Sequence, residues 1–173
     1  MILFLLAFAG HGALGQGVQA EEYQVKAAFL YNFAKFVEWP TQAFATASAP
    51  LVIGVLGENP FHDTLRQVVE GKTIDGHPLR VKELRSLKEV GACHILFIST
   101  SERRQLPDIL KLLKGAAVLT VGEMDGFTEA GGMINFVLVE GTKIRFQINK
   151  SAATSGGLKV SSKLLGLALR PDS

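Results

Sequence analysis

Between Glu21 and Glu38 apolar residues return at Val25, Phe29, Phe33 and Phe36, with Leu30 and Val37 widening the stripe. Spacings of three and four are the helical period, so this segment predicts an amphipathic helix, and Trp39-Pro40 ends it because a residue before proline is pushed out of the α region. Thr41–Pro50, rich in Ala, Ser and Thr, reads as a loop. Leu51–Leu56 is an unbroken apolar run between Pro50 and Gly57, the pattern of a strand buried on both faces and hence of a parallel or mixed sheet. From Pro60, placed where a first helical turn accepts proline, Phe61, Leu65, Val68 and Val69 predict a helix up to Gly71.

Asp75-Gly76 signals a turn, after which Leu79–Leu84 alternates as a strand. His94–Ser99 and Val118–Val121 are further strands. Between them Ser101 is the expected cap of a segment in which Pro107 lets a helix begin or restart before Gly115. Met133–Val139 and Lys143–Ile148 flank Glu140-Gly141-Thr142, which predicts an antiparallel hairpin. Asn149–Gly157 reads as a short helix or loop, and Ser161 as the cap of a last helix through Leu164 and Leu167. The expected fold is α/β, a mixed sheet with helices on both faces plus a C-terminal antiparallel β-hairpin.

The first residues follow another logic. Ile2–Ala9 is apolar, Gly10–Gly17 is small and flexible, and Val18-Gln19-Ala20 precedes Glu21-Glu22. This is the layout of a signal peptide over residues 1–20, although no Lys or Arg precedes the apolar run. The run is too short for the roughly 20 residues that cross a bilayer. Residues 21–173 are expected to form a single exported domain.

Composition narrows the function classes. With 173 residues, 47% of them apolar, and a formal charge of +2, the chain is long enough for its own core and has no basic run to follow a nucleic acid. Its one cysteine, Cys93, cannot form an internal disulfide and reads as a small buried hydrophobe. Gly71-Lys72-Thr73 lacks the earlier glycine of a phosphate loop, Arg66 standing in its place. Cys93 and His94, adjacent on a strand, point to opposite faces and cannot share a metal. Ala153-Thr154-Ser155-Gly156-Gly157 lacks the first glycine of a nucleophile elbow. His62-Asp63 offers a weak hydrolase-like pair, with a dipole-favoured helix start as its ordinary explanation. No catalytic residue, metal or cofactor is expected.

Several ordered blocks carry a resemblance: Tyr23–Pro40, Ile53–Gly57, Cys93–Ile98, Leu119–Val121, Gly131–Phe136, Ile144–Asn149 and Gly157–Leu165. Together they resemble the YfiR/HmsC-like family of bacterial periplasmic proteins. The resemblance implies a regulator that binds the periplasmic sensor region of an inner-membrane diguanylate cyclase and represses it, limiting cyclic di-GMP and biofilm formation. An outer-membrane lipoprotein that sequesters the repressor is a further implied partner; whether the chain forms a homodimer is left open by the sequence. The family's best-known member has intramolecular disulfides; this chain departs there, with Cys93 alone.

The residues put forward for partner contact are Trp39, where a helix-end aromatic can anchor an interface, Phe136, and Arg145 with Gln147 on the polar face of the hairpin. Arg145 has an alternative structural role, pairing with Glu140 or Glu129. A second reading is a periplasmic small-molecule sensor with Gly57, Glu58, Asn59 and His62 at the end of the first buried strand, where α/β sheets place ligands.

Overall fold

The structure, a computed structural model, describes residues 13–169. Helix α1 (Ala13–Phe36) leads into the short strand β1 (Val37–Glu38). Then follow β2 (Leu51–Leu56), α2 (Thr64–Val69), β3 (Thr73–Ile74), β4 (His77–Leu84), β5 (Ile95–Ile98), α3 (Leu106–Leu112), β6 (Leu119–Gly122), β7 (Ile134–Val139), β8 (Lys143–Ile148), α4 (Lys150–Ser155), β9 (Lys159–Val160) and α5 (Ser162–Leu167). Seven strands form one sheet in the order β3-β4-β2-β5-β6-β7-β8, and β1 pairs with β9 in a separate two-stranded ribbon. The five central strands are parallel to their neighbours, and the edge strands β3 and β8 are antiparallel. The expected mixed sheet with a C-terminal hairpin is therefore present.

Strand alternation sends side chains to two cores. Ile53, Val55, Ile95, Phe97, Leu119, Val121, Ile134, Phe136 and Phe146 meet α1, α2, α4 and α5 on one face. Leu96, Ile98 and Cys93 meet Leu106, Ile109 and Leu113 of the α3 segment on the other, with Phe127 from the loop after β6. Gly54 interrupts the apolar run of β2 because the sulfur of Cys93 lies there: a methyl group at Gly54 would come within 2.6 Å of Sγ. After β2 the chain turns to the α1 face, and after β5 to the α3 face. The crevice between β2 and β5 at their carboxyl ends is thus the topological switch point of the sheet.

Several local expectations are corrected. The buried stripe of α1 is Lys26, Ala27, Leu30, Phe33 and Ala34, continued by Val37 of β1; Phe29 and Phe36 of the predicted stripe are only partly buried, and Val25 is 45% exposed. A lysine holds a core position, which apolar spacing cannot anticipate. Helix α2 starts at Thr64 rather than after Pro60, since His62 has a positive φ of 49° that no helix accommodates. Ser99 rather than Ser101 caps the turn before α3, and Ser101 Oγ instead accepts the N–H of Glu58 at 3.0 Å. The Asp75-Gly76 turn, the three-residue hairpin connection and the cap at Ser161 are as the sequence implies, and the structure adds an Asn149 cap on α4.

The expected cleavage point after Ala20 falls inside α1, which runs on unbroken through Glu21; residues 1–12 lie outside the described part. Gly17–Ala20 are exposed, so these four residues contribute nothing to the core.

Candidate functional site

The predicted partner residues do not form one surface. Trp39 sits at the amino end of the sheet, half-buried, its indole N–H donating to the His94 carbonyl at 3.1 Å. Phe136 is core: it is 3% exposed, with ring centroids 5.7 Å from Phe33 and 6.0 Å from Phe29. Arg145 and Gln147 lie opposite Val137 and Asn135 on the hairpin face turned away from α1. Helix α3 covers β2, β5 and β6 on that side but not this hairpin, which leaves Lys143 and Arg145 exposed. Because Ile134 is level with Val121 and Phe97, the hairpin projects past the carboxyl ends of the other strands. Arg145 is about 20 Å along the strand direction from the Trp39 end.

The expected structural partners of Arg145 are otherwise engaged. Glu140 pairs with Lys143 at 2.6 Å, and Glu129 accepts the Thr128 hydroxyl at 3.1 Å. Among the described residues Arg145 makes no ion pair.

The four predicted ligand residues do come together, at the carboxyl end of β2 and on one side of the switch point. Gly57, with φ of 88°, passes so close to Ser101 and Glu102 that no side chain fits there. Asn59 accepts the N–H of Phe61 at 3.0 Å and donates to Glu83 at 2.8 Å and to the His62 carbonyl at 3.2 Å. That network fixes the left-handed turn at His62. The Asn59 amide is spent on this turn and on Glu83, and the Glu58 N–H on Ser101, while the side chains of Glu58 and His62 are exposed.

A cavity of about 570 Å³ lies beside them, at the carboxyl ends of β5 and β6 and against β7, lined by residues that include Glu22, Lys26, Thr100, Glu123 and Asp125. Lys26, 4% exposed, bonds both Glu22 and Glu123, and the Tyr23 hydroxyl donates to Glu123 at 2.9 Å. Burial raises the pKa of Tyr23, and the Glu123 carboxylate raises it further, so the phenol stays protonated and keeps donating. Sequence reasoning missed this cluster. The available signal was a lysine in register with Leu30 and Phe33, four residues after a glutamate.

The amino end carries a different set. His94, 6% exposed, accepts the Val52 N–H on Nδ1 at 3.1 Å, and its Nε2 faces the Ala43 carbonyl at 3.0 Å. Phe44 stacks on its ring and on His77. Cys93 points to the opposite face, where burial pushes its thiol up to about 11, against a smaller lowering by Lys82. A thiol so held is unreactive at neutral pH. Among the described residues no group of His, Cys, Asp and Glu is placed to hold a metal ion, and no helix is long and apolar enough to cross a membrane.

The sequence profile of the YfiR/HmsC-like family matches residues 23–169, from within α1 to just past the end of α5. The chain belongs to the YfiR/HmsC-like family. Members of the YfiR/HmsC-like family are periplasmic regulators of diguanylate cyclase signalling rather than enzymes. A search of curated proteins finds no match. Solved structures similar to this YfiR/HmsC-like chain include the ABC domain in complex with L-Trp from Streptococcus pneumonia, at 14% identity and a TM-score of 0.47. That likeness covers 68% of this chain and 54% of the other, so the chain spans about half the length of the structure it matches.

Proposed function

We propose that this protein is exported through a cleaved signal peptide and docks on the periplasmic sensor region of an inner-membrane diguanylate cyclase, holding the cyclase inactive and so lowering cyclic di-GMP and biofilm formation. The observation that carries the reading is the family match across residues 23–169. The polar hairpin face of Lys143, Arg145 and Gln147, which α3 leaves open, supports a docking role. Repression by docking is a population shift. Preference for the inactive sensor conformation must reach about 5.5 kcal/mol to move it from 1:99 to 99:1.

Deleting the gene in a strain that retains the cognate cyclase should raise cyclic di-GMP; an unchanged level would defeat the reading. Arg145→Glu should weaken capture of the isolated sensor region without altering the fold. Undiminished capture by that variant would move the contact elsewhere on the molecule. Release by an outer-membrane lipoprotein, and a homodimer, belong to the same proposal and are read out by co-purification and by sedimentation.

The cavity beside Lys26 favours a second reading, a small-molecule sensor, since it lies where α/β sheets bind ligands. Thermal-shift screening of the purified chain against nucleotides, amino acids and organic acids tests it, and a flat response to all of them counts against it.

A further inference from the structure

Residues 41–50 cross the amino ends of the strands with only one 3-10 turn, Thr41–Ala43, as regular structure. A three-ring stack pins them in place. Phe44 lies between His77, with centroids 3.8 Å apart and planes at 12°, and His94, at 4.3 Å and 20°. Each histidine also takes one carbonyl of the segment: Nδ1 of His77 meets Ala49 O at 2.6 Å, and Nε2 of His94 meets Ala43 O at 3.0 Å.

The two histidines differ in the proton state this requires. The Val52 N–H can only donate, so Nδ1 of His94 is bare, the ring proton sits on Nε2, and the neutral imidazole satisfies both neighbours. A second proton on His94 would point at the Val52 N–H, setting two donors face to face at a buried position. Nδ1 of His77 meets a carbonyl, to which it donates whether the ring is neutral or charged. Acid therefore attacks one end of the clamp and spares the other.

We propose that residues 41–50 form a proton-operated latch: neutral His94 holds it shut, and protonation of His94 frees Phe44 from the stack and opens the cavity beside Trp39. That cavity, about 640 Å³, is lined by apolar Ala34, Val37 and Leu51 as well as Trp39 and Phe44. The segment itself carries no ionisable side chain. From β4, His77 faces His94 across Phe44; Glu38 and Asp75 line the cavity from β1 and the β3–β4 turn; β2 presents only the Val52 backbone. Burial lowers the pKa of His94, the Ala43 bond opposes this, and His77 lowers it further. The direction agrees with the geometry.

Trp39 is the chain's only tryptophan and is bonded to His94, so its fluorescence reports the latch. The purified full chain, followed from pH 8 to pH 5, should show one fluorescence transition below pH 6.5. Protection factors of the amides across residues 43–49, which divide out the base-catalysed intrinsic rate, should fall about tenfold per pH unit below that point, until the closed state itself takes up the proton. The central strands should keep their protection. In His94→Gln the amide oxygen can accept from Val52 and the NH₂ can donate to Ala43, so the latch should stay shut across the range. Invariant protection factors in the unaltered chain, or an unchanged transition in His94→Gln, overturn the proposal. Should that variant not fold, the NMR titration of the His94 ring in the unaltered chain decides: a midpoint at or above 6.5, or one that does not coincide with opening of residues 43–49, is equally fatal.

Discussion

The two ends of the sheet bury polar groups in opposite ways. At the carboxyl end Lys26 is held between Glu22 and Glu123, with the Tyr23 phenol as an added donor, so charge is answered by charge. At the amino end His94 is kept neutral and answered by two backbone groups and an aromatic ring. The first arrangement does not tolerate the loss of one member, because a lone buried charge has no counterpart. The second loses little electrostatic energy on substitution yet depends on a single proton. A protein of this build is fixed by its ion cluster and, through the proposed latch, adjustable at its histidine clamp.

The largest expected effect is at the ion cluster. Lys26→Met leaves Glu123 buried without its cation and should cost about 3–5 kcal/mol in urea unfolding, while adding Glu123→Gln should return most of it. If the double variant is no more stable than the single one, the cluster is not a coupled unit and the contrast between the two ends fails.

Packing beneath the same end comes next. A methyl group at Gly132 would press on the Phe127 ring and lie 2.7 Å from the Phe127 carbonyl. Gly132→Ala should therefore destabilise by about 1–3 kcal/mol, measured in the same way.

The histidine clamp contributes a pH dependence. With the folded-state pKa of His94 lowered, the native protein binds fewer protons than the unfolded chain below about pH 6.5, the ordinary imidazole value. Its contribution is complete above that pH, falls as pH drops towards the folded-state value, and levels off beneath it. His94→Gln should remove this slope from a plot of stability against pH, whereas Lys26→Met should leave it in place. The smallest effect belongs to Arg145→Ala, exposed and outside either cluster, which should change stability by no more than about 0.5 kcal/mol. A larger change would show that the open hairpin face is part of the fold.

Much of the candidate site was hidden in the sequence for one physical reason: its members are far apart along the chain. Gly57, Glu58, Asn59 and His62 could be proposed together because they are contiguous and follow an apolar strand. Glu123 joins Lys26 only because β6 ends beneath α1, and no local pattern encodes that meeting. Trp39 was singled out as an aromatic at a helix end, but its bond to the carbonyl of His94 follows from where the chain crosses the strand ends. Phe136 shows the converse. Its strand was legible, but strand alternation does not say which face a helix will cover, and α1 covers this one.

The local periods alone determined the longer strands and most of the helices, where the Asp75-Gly76 and Glu140–Thr142 turns fall, and which serine caps the last helix; the two-residue strands β1, β3 and β9 carry no such signal. Those features depend on backbone sterics and on side chains a few residues apart. The tertiary structure alone decided which face each strand shows to which helix, that a lysine sits in the α1 stripe, and that His94 must be neutral. Each of these depends on burial and on partners brought together from distant positions, and the cost of burying a polar group exists only once the chain has closed around it.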